Sequence, residues 1–269
     1  MSRPRAAILF VCLSLAFDVA GQTPAQKPYE PRVGQPGKDV VWVPTPDATV
    51  EKMLDLAKVT AADTVMDLGS GEGRIVIAAA KRGARAIGIE YNPDLVELSK
   101  RNAAAAGVSA RASFVQGDVF EADLQPATVV TLFLLPSLNV KLRPKLLELK
   151  PGTRIVSNSF AMEEWQADEQ ATLQDGCVSW CSALLWLVPA HVEGTWQTPH
   201  GALMLAQKFQ TFVGTVGPAV VTDGRLRGDA ISFTLGNTRY TGRVDGDRMQ
   251  VTGSGGSNGS WTGRRDSNH

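Results

Sequence analysis

Hydrophobic positions follow helical and strand periods in alternation over the first two thirds of the chain, and strand periods alone over the rest. Behind VPTP, the apolar residues Val50, Met53, Leu54 and Ala57 recur at helical spacing, with Thr45 placed to cap and Pro46 at the first helical position. The pattern predicts an amphipathic helix. TVMDL is then a strand, RIVIAAAKR a helix closed by Gly83, RAIGIE a second strand, and Pro93 to Ala106 a helix capped by Asn92 and stopped by Gly107. ASFVQGD and TVVTLFLL read as third and fourth strands, VKLRPKLLELK as a helix ended by Pro151 and Gly152, and TRIVSNSF as a fifth strand. Strands alternating with helices, several of them near-continuous apolar runs, predict an α/β fold with a doubly wound, mostly parallel sheet covered on both faces. CVSWCSALLWLV adds a strand or hairpin with no helix before it, which suits an antiparallel edge.

After Pro189 the period changes to short alternating strands with glycine turns, in ALMLAQKFQTFVGTV, GRLRGDAISFTLG, TRYTGRVDGDRMQVTG and SWTGRR. Gly236 with Asn237, and Asp245 with Gly246, are the hairpin turn pairs. This predicts a small antiparallel all-β domain, a curled half barrel or sandwich, with Trp196 and Trp261 filling its interior near the two ends. The domain boundaries expected are 44–189 for the α/β part and 190–266 for the β part. Upstream, Arg3 and Arg5 precede an apolar stretch from Ala6 to Phe17, with Val19 and Gly21 placed for cleavage before Gln22. Residues 1–21 therefore read as a secretory signal, and the protein as exported, periplasmic or secreted. The alternative is a membrane anchor through an uncleaved N-terminus, but the stretch is short for a span, so no stable membrane span is expected after cleavage. Residues 22–43, rich in Pro, Gly, Gln and Lys, read as an extended leader.

Charge narrows the partners. The 27 basic and 27 acidic side chains balance, which lacks the basic footprint of phosphate-backbone binding, so nucleic acid is not expected. Cys177 and Cys181 would lie roughly 13 Å apart on one straight strand, too far to bridge. Either a tight hairpin at VSW pairs them or they remain two buried thiols. The histidines His191, His200 and His269 do not cluster and no second CxxC is present, so no metal is expected. No feature indicates an oligomeric state.

The chemistry concentrates in the first turn, MDLGSGEGR. Its glycines are in the register Gly69, Gly71, Gly73, which fits neither the GxGxxG dinucleotide turn nor a phosphate loop ending in GK and Ser or Thr. Asp67 before the loop and Glu72 within it would repel a pyrophosphate and attract a ligand carrying an ammonium and a sulfonium. Glu90 ends the second strand, where a carboxylate can take both ribose hydroxyls, and Asp118 follows the third, where it can accept from an adenine amine. Three acids at successive strand ends point to S-adenosylmethionine.

VMDLGSGEGR, GIEYNP and QGDVF resemble the first three motifs of class I S-adenosylmethionine-dependent methyltransferases over about residues 40–189. WVPTP, DLGSGEGRIVIAAAKRGARAIGIE and LLPSLNVKLRPKLLELKPGTRIVS are similar more closely to protein-lysine methyltransferases that modify the c-subunit of ATP synthase, and to bacterial homologues. The resemblance implies a Rossmann-like seven-stranded sheet and an S-adenosyl-L-methionine cofactor. It places Asp67, Gly69, Ser70, Gly71 and Gly73 at the methionine part, Glu90 at the ribose, and Asp118 with Val119 at the adenine. Thr45 and Pro46 would fold over it. The fourth strand ends TLFLLP instead of in an NPPY-type motif, leaving Phe133, Pro136 and Asn139 as candidates for an acceptor channel and no nominated base. The expected partner is a methyl acceptor, a protein lysine or else a small molecule. Neither the export signal nor the β domain is explained by these motifs. They motivate the alternative of a non-catalytic or small-molecule-binding exported protein on a methyltransferase scaffold with a β recognition module; a nicotinamide-dependent reductase is a third reading.

Overall fold

The computed structural model describes residues 29–174, 177–256 and 258–266, and the sheet, helices and barrel all belong to the compact unit beginning at Pro31. The signal expected over 1–21, and the leader as far as residue 28, lie outside the described residues. Helix α1 is Asp47–Leu56 and buries Thr49, Val50, Met53 and Leu54. Its N-cap is Pro46, not Thr45; Thr45 is buried one position earlier and its carbonyl accepts from Arg74. There follow β1 (Thr64–Leu68), α2 (Arg74–Lys81), β2 (Arg85–Glu90), α3 (Pro93–Ala105), β3 (Ala112–Gln116), β4 (Val129–Leu132), α4 (Pro136–Leu147), β5 (Arg154–Asn158), β6 (Glu169–Thr172) and β7 (Ser182–Leu187). Asn92 caps α3 as its position in the sequence suggests, its Oδ1 accepting from the Asp94 amide at 2.9 Å.

The seven strands lie in the order β3-β2-β1-β4-β5-β7-β6. The first five are mutually parallel, and β7 runs antiparallel to both β5 and β6. CVSWCSALLWLV thus supplies the antiparallel strand next to the edge, while the edge itself is EQAT, too short and polar to register as a strand by pattern. Separate hydrophobic clusters cover the two faces, one including Met53, Leu54, Ile75 and Val76, the other Leu142, Leu146, Trp165 and Trp186. Strand order reverses at β1 and β4, which opens a crevice beyond their carboxyl ends.

The last third closes on itself. Strands β8 (Gly194–Thr198), β9 (Gly201–Lys208), β10 (Thr211–Val216), β11 (Ala219–Arg227), β12 (Ala230–Leu235), β13 (Thr238–Asp245), β14 (Arg248–Gly255) and β15 (Gly259–Arg265) form a closed antiparallel barrel. The expected half barrel or sandwich is corrected by the pairing of β15 with β8, Arg264 opposite Gln197 and Arg265 opposite Trp196. Gly236 and Asn237 form a hairpin turn as expected, whereas Asp245 pairs with Arg248, so Gly246 and Asp247 are the turn residues there. Trp196 is fully buried and Trp261 partly so, packed with Phe233 and Tyr240.

The barrel is joined to the sheet at the amino-terminal ends of β5 and β6, opposite the crevice. Arg225 pairs with Asp168 at 3.3 Å and Arg227 with Glu169, while Gln210 Nε2 donates to the Gln166 carbonyl at 2.7 Å. Phe209 stacks on Trp165 at 6.0 Å between ring centroids, and the Arg143 guanidinium lies 5.2 Å from the Phe209 centroid. A Cβ on Gly228 would lie 2.9 Å from the Gly152 Cα, so the two backbones meet directly. Trp165→Ala should lower the unfolding free energy by about 3–5 kcal/mol, as for other buried aromatic deletions. Urea denaturation followed by limited proteolysis checks this, with cleavage expected first in the segment between β7 and β8.

Candidate active site

The crevice is built around the turn from β1 to α2. Gly69, Gly71 and Gly73 have φ of +78°, +55° and +86°, a region that side chains with a Cβ rarely adopt. Three such residues let the chain reverse while its amides stay directed: those of Gly69 and Ser70 both donate to the Ile89 carbonyl, at 2.9 and 3.0 Å. The Gly71 amide donates to Glu90 Oε2 at 2.9 Å, and the Asn92 amide to Glu90 Oε1 at 2.9 Å. From α3, Ser99 Oγ donates to the Gly71 carbonyl and Asn102 Nδ2 to the Glu72 carbonyl. The loop is thereby held on both sides before any ligand arrives. Gly88 belongs to the same design, since a Cβ there would lie 2.5 Å from Ser70 Oγ and 2.7 Å from Ser70 Cβ.

The acids differ in how their charge is met. Asp67 is 3% exposed and its Oδ1 accepts from Thr131 Oγ1 at 2.7 Å. Burial, with Glu90 nearby adding to it, pushes its carboxyl up to about 7 against the hydroxyl's opposing effect. Glu72 is paired with Arg74, whose guanidinium also reaches Asp47 and the Thr45 carbonyl. Its charge is compensated within the chain, which corrects the expectation that it would attract a cation. Asp118 is paired with Lys38 and accepts from the Phe120 amide at 2.9 Å, and the Lys38 ammonium holds its carboxyl below the usual carboxylate range.

Lys38 comes from the segment that composition assigns to a leader without a core. From Pro31 on that segment folds back over the crevice: the Trp42 amide donates to the Gln35 carbonyl, the Gly34 amide to the Trp42 carbonyl, and the Gly37 amide to the Val40 carbonyl. Trp42 caps the glycine loop so closely that a Cβ on Gly71 would lie 2.8 Å from its Nε1. Lys38 Nζ also lies 5.0 Å from the centroid of the Tyr91 ring. Sequence pattern does not single out Lys38, Trp42 or Tyr91, although Trp42 opens WVPTP and Tyr91 follows Glu90.

One cavity is lined together by Thr45, Asp67, Gly69, Ser70, Gly71, Glu90, Asp118, Val119 and Phe133, along with the leader turn, Trp42 and Tyr91. Pro46 and Gly73 stand outside it, as the N-caps of α1 and α2. A second cavity shares Phe133, Leu134 and the turn from Pro36 to Val41, and adds Leu135, Phe160 and Trp180. Of the channel candidates only Phe133 lines it. Pro136 is exposed at the start of α4, and Asn139 is buried, its Nδ2 donating to the Phe160 carbonyl at 3.1 Å. Among the described residues no group of three or more His, Cys, Asp or Glu is arranged to hold a metal ion, and no helix is long and apolar enough to cross a membrane.

This geometry can be set beside known proteins. Over 140 residues the chain is 47% identical to a protein-lysine N-methyltransferase of Saccharolobus islandicus, covering 51% of this chain and 87% of that protein. The chain belongs to the protein-lysine N-methyltransferase family. The model of the ANTKMT methyltransferase domain matches residues 67–169, a span that opens on the buried Asp67. An adenine nucleotide translocase lysine N-methyltransferase of Mus musculus is 42% identical over 119 residues, covering 44% of this chain and 52% of that protein. The chain thus spans only about half of that animal relative. A solved RNA methyltransferase of Salinibacter ruber, in complex with S-adenosyl-L-homocysteine, is 50% identical with a TM-score of 0.53, covering 56% of this chain and 96% of that one.

Within this protein-lysine N-methyltransferase chain the barrel lies beyond the matched segment, and the site stands on the sheet, the helices that follow its strands and the leader turn. The buried Asp67 makes a measurable consequence for the free protein. In the folded state its carboxyl titrates near 7, against about 3.9 in an unfolded chain. Between those values the folded form keeps a proton that the unfolded form has lost, so this contribution is full below about pH 4 and is gone once pH passes about 7. Asp67→Asn should remove it. The unfolding free energy of the parent relative to that variant, from urea titrations at pH 5 to 8, is expected to fall as pH rises.

Proposed function

We propose that the chain transfers a methyl group from S-adenosyl-L-methionine to the side chain of a protein lysine. The observation that carries this reading is the convergence of Asp67, Glu90 and Asp118 with the glycine loop on one cavity at the switch point of the sheet. A fit to that donor is supported by the loop itself, where Ser70 Oγ is buried without a partner, a hydroxyl left over by the protein's own hydrogen bonds. When bound, the donor supplies a methyl group on a sulfonium, an electrophile that needs no covalent nucleophile from the protein. Asp67, ionised, would hold the ammonium end. Glu90 fixes the loop through two amides and keeps lone pairs for ribose hydroxyls; Asp118 and Val119 would meet the adenine. The protein's remaining tasks are alignment and exclusion of water.

An acceptor lysine, with an ordinary pKa near 10.4, must arrive neutral. The second cavity favours that by desolvation, because its only titratable lining residues among those described are Lys38 and Asp39. The even balance of 27 basic and 27 acidic side chains supports a protein acceptor over an RNA one. Export belongs to the same proposal, supported by the bond between Cys177 and Cys181, with α-carbons 5.8 Å apart, since such bonds persist in oxidising compartments.

Calorimetry with S-adenosyl-L-homocysteine tests the cofactor reading. Binding is expected to tighten as pH rises toward about 7, where Asp67 ionises, and then to level off, with Asp67→Asn weak and independent of pH. Transfer of labelled methyl to lysines of a protein extract, found by mass spectrometry, tests the acceptor. Label on RNA or on a small molecule would replace the lysine assignment, and absence of any S-adenosyl-L-homocysteine binding would sink the proposal.

A further inference from the structure

The segment CVSWC forms a short loop closed by the Cys177–Cys181 disulfide, just before β7. Trp180 within it has φ +59°, a left-handed conformation unfavourable for a large side chain by about 1–2 kcal/mol. The loop is tied to α1 as well, where the buried Thr49 Oγ1 donates to the Trp180 carbonyl at 3.0 Å. So held, the indole meets Phe133 edge-on at 5.5 Å and Phe160 at 5.2 Å between centroids, while Phe133 and Phe160 stack at 6.0 Å. These rings form one wall of the second cavity, and Phe133 also lines the cofactor cavity, so the two spaces adjoin at its ring.

We propose that the disulfide-closed loop is the specificity element of the acceptor cleft, with Trp180, Phe133 and Phe160 forming the wall against which the alkyl stem of an acceptor lysine lies. The inference rests on the lysine-methylation reading and deepens it by assigning a residue role outside the family-matched segment, which ends at residue 169. A lysine stem is apolar along its length and polar only at its tip, which suits an aromatic wall ending at Phe133. The ring faces attract the ammonium on approach, and the apolar lining then favours its neutral form. The shared wall is what selects this occupant, since a side chain lying along it ends at Phe133 and Leu134, which also line the cofactor cavity. Closure of the loop matters because few open-chain conformations would hold a tryptophan left-handed. A dithiol that reduces the bond gives two electrons and two protons, leaves Cys177 and Cys181 as thiols and itself becomes a disulfide, after which Trp180 is free to relax.

The test measures KM and kcat for a lysine-containing peptide at saturating S-adenosyl-L-methionine, with S-adenosyl-L-homocysteine affinity by calorimetry, for the parent, Trp180→Ala, Trp180→Phe and the double variant Cys177→Ser, Cys181→Ser. Expected for Trp180→Ala is a rise in KM of about tenfold, a change in kcat below about threefold, and unaltered S-adenosyl-L-homocysteine affinity. Trp180→Phe should recover most of the loss, and the double variant should fall between parent and Trp180→Ala. A binding readout accompanies these: in the presence of S-adenosyl-L-homocysteine, peptide should change the tryptophan emission of the parent and change that of Trp180→Phe much less. Should Trp180→Ala fail to fold, the Trp180→Phe emission difference and the KM of dithiol-reduced parent decide instead. An unchanged KM in Trp180→Ala, beside a parent that binds cofactor and methylates peptide, overturns this inference alone. A parent that binds no S-adenosyl-L-homocysteine overturns the reading beneath it.

Discussion

The structure is organised around a carboxylate in a dry place. Asp67 stands near the end of β1, between β2 and β4, buried beneath the cavity it lines. A charge there is costly unless something compensates it, and the chain itself offers a single hydroxyl, from Thr131. Surrounding features are arranged around that position. The glycine loop turns away without a side chain in the path, Glu90 fixes the loop instead of neutralising the acid, and Arg74 is kept on Glu72 and the start of α1. The protein leaves the cation to be supplied from outside. That is a reason for a site of this kind to be selective for a positively charged ligand without having any strong contact to spare for a neutral one.

Over this site the leader turn is a second layer. Its charge contribution is opposite in sign to that of the floor, with Lys38 reaching Asp118 while Asp67 remains uncompensated. The two ends of the cavity are thus electrostatically unlike, one occupied by an internal ion pair and one awaiting a cation. A ligand that carries charge at one end only would have its orientation fixed by this asymmetry before any shape matching.

How much of this is legible in the sequence follows from how local the information is. The α/β alternation, the loop register and the acids at strand ends are each read from short local stretches of the sequence, and all three acids line the same cavity. EQAT escapes a pattern reading because a four-residue polar edge carries no periodic signal, its partner being the apolar β7. Closure of the barrel escapes it because Trp196 and Arg265 meet across nearly the whole domain, a register that no local pattern encodes. Lys38 and Trp42 are hidden by composition: a stretch rich in Pro, Gly and Lys cannot form a core of its own, but it can borrow one from the crevice it covers. Asn139 illustrates the converse, a residue close in sequence to the channel that acts by holding the Phe160 carbonyl. Trp180 depends on a covalent closure between cysteines that sequence leaves undecided.

The seam between barrel and sheet bears on how the chain is made. Strand β6 has a neighbour only on its β7 side, and Arg225 and Arg227, which pair with Asp168 and Glu169 at its start, come from the eleventh strand. Phe209, which stacks on Trp165, also belongs to the barrel. During synthesis the sheet is therefore complete in sequence while its edge and an indole still lie open, the situation in which strands of different chains associate edge to edge. The side chains that cover the start of β6 and Trp165 are therefore made only after the sheet they cover.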